Sequence, residues 1–154
     1  MIKHPLILLI VILSVCLIPP GLLFTSTQIL SVRPYDTQKI KENSSINYHI
    51  DKLEVKKRQF IIEGWAYFNN TDYEKSNIKI LAKKSNIYYS IPTKVIERRD
   101  VSKTLLLNEN YKNTGFQSGS LFSQLEKGSY EIYIVLIGKS NQIMVNTNEK
   151  ITIN

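Results

Sequence analysis

No charged side chain occurs between residues 5 and 32, and residues 6–18 are almost unbroken leucine, isoleucine and valine. That run sets the chain's address and limits what is left to fold. A bilayer core is crossed by about 20 mainly apolar residues, and residues 5–24 supply that length. A cleaved signal instead needs a basic start, a short apolar run and a small-residue cleavage site. Lys3 and the apolar run meet the first two requirements, but Phe24-Thr25-Ser26-Thr27 contains no Ala-x-Ala-like triplet. Pro19-Pro20-Gly21 would break a helix in water, whereas membrane helices tolerate such residues. We therefore expect a signal anchor over residues 1–32 and a single-pass cell-membrane protein whose C-terminal domain is extracytoplasmic. Secretion after signal cleavage is the alternative. The short amino end, with Lys3 and His4, stays cytoplasmic in this arrangement. Arg33, Lys39 and Lys41 follow the segment closely, so the positive-inside bias does not decide the orientation.

Cys16 is the only cysteine. Leu13-Ser14-Val15-Cys16 departs from a lipidation signal, because Val15 is too large and the residues that follow are apolar rather than a polar tether. It reads as a small hydrophobe. No intramolecular disulfide and no cysteine-based zinc site can form. Residues 33–44 are polar, carry Pro34 and charges of both signs, and read as a linker with a helical turn near residues 37–41. Residues 45–154 suffice for one domain. The net charge is +7. Its basic residues are scattered and the expected compartment is extracytoplasmic, which argues against nucleic acid. Such a charge suits a solvated surface, anionic envelope polymers or lipid headgroups.

From Ile46 onward apolar residues recur every second position. Ile46, Tyr48 and Ile50 alternate, and Leu53 and Val55 alternate in shifted register. Residues 60–68 form a longer run rich in β-branched and aromatic side chains, preceded by Lys57-Arg58-Gln59, which predicts a hairpin. Residues 78–82 and 87–91 flank the turn signal Lys84-Ser85-Asn86, and residues 93–98 are a further extended candidate. Residues 129–137 alternate Tyr130, Ile132, Ile134 and Leu136 against Glu131, Tyr133, Val135 and Ile137. Residues 142–145 and 149–153 complete the set, while residues 120–125 suggest one helical turn capped by Gly128. Short strands with turns every 8–12 residues or so predict an all-β fold, an immunoglobulin-like sandwich of seven to nine strands. Trp65 lies in the most hydrophobic strand and is expected between the sheets, with Gly64 and Ala66 on the opposite face.

The usual catalytic patterns are missing. His4 and His49 are the only histidines, and no glycine-rich phosphate loop or Gly-x-Ser-x-Gly elbow occurs. No metal or cofactor is expected. Two surfaces remain as binding candidates. Glu97-Arg98-Arg99-Asp100 is the densest charge cluster, and Arg98 and Arg99 have the forks that match carboxylate or phosphate. Both signs within five residues equally suit internal pairing that fixes a long loop. The aromatics, among them Trp65, Tyr67, Tyr88, Tyr89, Tyr111 and Tyr133, offer flat faces for sugar stacking. Neighbouring Tyr88 and Tyr89 must face opposite sides of a sheet, so one of them is expected in solvent.

In order along the chain come Ile50-Asp51-x-Leu53-x-Val55, Ile61-Ile62-Glu63-Gly64-Trp65-Ala66, Arg98-Arg99-Asp100-Val101, Gly115-Phe116 and Leu125-x-x-Gly128-x-Tyr130-x-Ile132. This series resembles the small β-sandwich accessory domains beside or fused to bacterial cell-envelope glycosyltransferases of the teichoic-acid and capsule types. The resemblance spans residues 48–138, and no transferase module accompanies it. It implies a non-catalytic module that binds or positions envelope glycopolymers or their enzymes. A small envelope hydrolase using Glu63 with Asp100 or Glu97, or a structural subunit of a membrane complex, are the alternative readings.

Overall fold

A computed structural model describes residues 31–154. The anchor expected over residues 1–32 lies almost wholly outside the described residues. Among the described residues no helix is long and apolar enough to cross a membrane.

Among the described residues the domain is an all-β sandwich of ten strands, more than the seven to nine expected, because residues 33–42 add two short edge strands. They are β1 (Arg33–Tyr35), β2 (Lys41–Glu42), β3 (Asn47–Val55), β4 (Gln59–Tyr67), β5 (Asn77–Lys84), β6 (Ile87–Ile91), β7 (Thr93–Ile96), β8 (Gly115–Leu121), β9 (Gly128–Ile137) and β10 (Gln142–Ile153). Among the described residues one helix, α1 (Arg99–Thr104), and two 3-10 turns interrupt them. One sheet has the order β1-β6-β5-β9-β10-β2, and the other β3-β4-β8-β7. The expected hairpin is β3–β4, closed where Lys56 donates its backbone N–H to the Gln59 carbonyl at 2.8 Å.

Several sequence expectations change. Residues 33–44 are not a free linker: they supply β1 and β2, which pair with β6 and β10 at opposite edges of one sheet. Only a single hydrogen-bonded turn, Ile40 to the Thr37 carbonyl, stands where a helical turn was expected. Residues 142–153 make one strand with a bulge between Asn146 and Lys150, not two strands. Thr147 occupies the bulge, and its buried hydroxyl donates to the Ile132 carbonyl. Gly128 opens β9 with φ near 140° rather than capping the Phe122–Gln124 turn.

The core follows from alternation. Phe60, Ile62 and Ala66 of β4 and Phe116 of β8 face Ile78, Ile80 and Ala82 of β5, Ile132, Ile134 and Leu136 of β9, and Ile151 and Ile153 of β10. Tyr130 is fully buried in the same layer and donates its hydroxyl to the Glu126 carbonyl at 2.8 Å. The opposite face of the six-stranded sheet is also apolar, with Leu81, Tyr133, Val135 and Met144 buried under Tyr35 and Ile40. Residues 36–40 cross from β1 at one edge to β2 at the other, so the chain straps this face. A central strand buried on both sides reads as a continuous apolar run, which explains residues 130–137.

Trp65 is not between the sheets. Strand β4 alternates strictly, with Phe60, Ile62, Gly64 and Ala66 buried and Ile61, Glu63, Trp65 and Tyr67 half-buried on the outer face. Because the side-chain period is two, fixing any residue of the strand fixes all the others. Phe60 and Ile62 claim the interior, so Trp65 shares the outside with Glu63. Gly64 is held by close approach: a Cβ there would lie 2.2 Å from the His49 carbonyl oxygen and 3.0 Å from the Phe116 ring. Gly64→Ala should therefore destabilise the domain by about 1–3 kcal/mol, the range for overpacking a filled core. Urea denaturation checks this, with a lowered midpoint at unchanged slope as the expected result.

Candidate functional site

The outer face of the four-stranded sheet gathers the chemistry-bearing side chains. Register places His49 of β3 opposite Trp65 of β4, and Gly115 of β8 on Trp65's other side. Tyr67 follows two positions later on the same face. The Trp65 and Tyr67 rings lie 6.0 Å apart and 27° from parallel, and His49 and Trp65 lie 6.2 Å apart at 33°. Three rings thus form a row with similar tilt. Tyr111 closes it, meeting Tyr67 edge-on at 6.0 Å.

Tyr111 is placed by the loops at that end of the sandwich. Its hydroxyl donates to the Asn70 carbonyl and accepts from the Asn70 N–H, both at 3.2 Å. Asn108 and Asn110 donate side-chain N–H groups to the Glu74 carboxylate at 3.1 and 3.0 Å. The long excursion between β7 and β8 is in this way tied to the loop between β4 and β5.

Gly115 leaves the floor beside Trp65 open, and Arg98 fills it. A Cβ at Gly115 would meet the Arg98 stem at 2.4 Å. All three nitrogens of the Arg98 guanidinium are then engaged by carboxylates within the protein. Its Nε reaches both Asp100 carboxylate oxygens at 2.9 and 3.1 Å, Nη2 reaches Asp100 at 2.8 Å, and Nη1 reaches Asp51 at 2.6 Å. Asp51 sits in the β3 bulge between Ile50 and Lys52, so the fork pins the start of α1 to the far strand of the sheet. Arg99 turns to Glu97 through its Nε. Glu63 accepts from the Gln117 amide at 2.7 Å.

These pairs set the protonation of the carboxyls. Hydrogen bonds from Arg98 hold the Asp100 carboxyl below its ordinary range, and the hydrogen bond from Arg99 does the same for Glu97. A general acid of glycoside hydrolysis needs the opposite shift. A carboxyl depressed in the folded state adds stability that is present above the unfolded pKa, near 4, and lost as pH falls through the folded value. The stability gap between the parent and Asp100→Asn should therefore be widest above about pH 5 and shrink towards about pH 2. Denaturation midpoints across that range measure it, and a gap independent of pH would contradict the pairing.

Arg98 belongs to this surface as a support, and Arg99 lies exposed beside it. Tyr88 and Tyr89 stand on β6 of the other sheet and do not join it. They face opposite sides, as alternation demands. Tyr88 meets Tyr133 edge-on at 5.4 Å and Tyr89 meets Tyr130 at 6.1 Å, and both are half-buried. Sequence reasoning gave His49 no role on this surface and expected Trp65 in the core. The signal was available: Glu63 and Trp65 have the same parity, so a charge on the outer face carries the tryptophan there too. No family model matches this chain, and neither a curated protein nor a solved structure matches it.

Proposed function

We propose that this chain is a non-catalytic module, anchored by residues 1–32 on the outer side of a bacterial cell membrane, that binds or positions envelope glycopolymers. The observation that carries this reading is the ring row of His49, Trp65 and Tyr67 on an open sheet face. Sugar rings present apolar C–H faces that stack on aromatic rings, while their hydroxyls need a polar rim. Here the rim is Asp51, Glu63 and Gln117. Arg98 is paired with Asp51 and Asp100, and Lys52 and Lys94 stand opposite Glu63 and Gln117, so charges of both signs balance on this face, which suits a neutral glycan better than a polyanion.

The strand orders support an immunoglobulin-like assignment. With β1 and β2 set aside, β3-β4-β8-β7 and β6-β5-β9-β10 follow the A-B-E-D and C′-C-F-G orders. Tyr130, near the start of β9 and bonded to a backbone carbonyl four residues upstream, has the geometry of a tyrosine corner. The resemblance to accessory domains of envelope glycosyltransferases points to the same class of polymer. Pull-down of the full chain in detergent with purified wall polysaccharide tests the proposal. Saturable binding that competes with neutral glycan supports it. Absence of binding together with co-purification of a membrane enzyme would move the role to structural subunit. Turnover lost in Glu63→Gln would make the protein a hydrolase.

A further inference from the structure

Helix α1 ends in a Schellman turn with a leucine in its left-handed position. Leu106 donates its backbone N–H to the Lys103 carbonyl at 3.2 Å, and Leu107 donates to the Ser102 carbonyl at 2.8 Å. These are the two bonds that define the motif. Leu106 has φ 53°. Glycine usually holds this position and asparagine sometimes does, because the Cβ of other residues crowds the backbone there. The other described non-glycine residues with positive φ are Ser85 in the β5–β6 turn and Asn148 in the β10 bulge, both small and polar. Leu106 is also 92% exposed, and neighbouring Leu105 is 38% exposed. On backbone grounds and on burial grounds the fold would be better served by glycine or asparagine. A residue that strains the backbone and packs against nothing points to a contact made outside the domain.

We propose that the Leu105–Leu106 tip inserts into the surface of the lipid bilayer that anchors the chain. The tip is purely aliphatic, with exposed Lys103 before it and exposed Glu109 after it in the same excursion. An aliphatic tip between charged residues suits the boundary between acyl chains and headgroups. Two leucines are far too little surface for a stable protein interface, which buries about 1,200 Å² or more. They suit a shallow second attachment to a membrane that already holds the chain. Arg33 lies opposite Ser90 and Tyr35 opposite Tyr88, so β1 enters the sheet from the end towards which β6 and β7 run. The Schellman turn follows β7 at that same end. The tip would fix the tilt of the domain, and with it the direction in which the ring row faces.

This inference rests on the membrane-anchored reading, and the test separates the two. Cys16→Ser gives a cysteine-free full chain, into which Leu106→Cys, Thr104→Cys or Lys57→Cys is introduced singly and labelled with an environment-sensitive fluorophore. Lys57 lies in the β3–β4 turn at the opposite end. The proteins are reconstituted into phosphatidylglycerol–phosphatidylcholine vesicles with doxyl-labelled lipid. Flotation with strong quenching at positions 106 and 104 but not at 57 is the expected result. Leu106→Asn should weaken the quenching at position 104 several-fold while raising the thermal midpoint, because asparagine tolerates the left-handed conformation. Flotation with equal quenching at 106 and 57 would overturn the tip and leave the anchor standing. A chain that does not float would overturn both.

Discussion

Phe60→Ala is expected to cost about 3–5 kcal/mol, the usual range for deleting a core aromatic. Phe60 is completely buried at the start of β4 and belongs to the layer that includes Ile62, Phe116 and Tyr130. Its removal leaves a cavity between two sheets whose backbones are held by β3 and β8 on either side of β4, so collapse around it is limited. The loss is a large share of a typical domain stability of about 5–15 kcal/mol. Guanidinium denaturation, followed by circular dichroism, checks it. The informative comparison is Trp65→Ala. Trp65 stacks on the outer surface between His49 and Tyr67, and ring contacts of that kind are worth about 0.5–1.5 kcal/mol each beyond area. Trp65→Ala should therefore cost clearly less than Phe60→Ala, although the side chain removed is larger. Equal costs would return Trp65 to the interior.

That comparison also shows what the sequence makes legible. Strand existence and the all-β class follow from alternation alone, since Phe60 to Tyr67 and Ile78 to Ala82 can bury one face only in a sheet. Which face is harder to read where both carry apolar side chains. In β4 the size of Trp65 favoured it as the inward residue, and the parity of Phe60 and Ile62 against Glu63 pointed the other way. In β9 Tyr133 and Val135 alternate with Ile132 and Ile134, and both sets are buried. The second set needed a cover that no local pattern identifies. Residues 35–40 provide it from a stretch whose polarity reads as a linker, because Tyr35 and Ile40 are isolated apolar positions rather than a periodic series. The Arg98 pairing was half legible. Asp100 is two residues away, but Asp51 is brought in by a bulge 47 residues earlier, and long-range partners leave no trace in spacing.

Trp65→Ala should weaken glycopolymer binding by about thirtyfold or more, the 2 kcal/mol expected for a central aromatic contact. Trp65 is the middle ring of the row, in contact range of both His49 and Tyr67, so its loss splits one continuous surface into two separate rings. Arg98→Lys serves as the comparison. Lysine keeps the charge but cannot span Asp100 and Asp51 together, because it lacks the planar fork. If the arginine acts as a support, that variant should bind less tightly through a loosened loop, and the binding should show no stronger salt dependence than the parent's. If the arginine itself met an anionic polymer, the parent's affinity would fall steeply with added salt. Isothermal titration of the parent and both variants with a neutral wall glycan, at low and physiological ionic strength, separates these outcomes. Unchanged affinity in Trp65→Ala would remove the ring row from the binding surface.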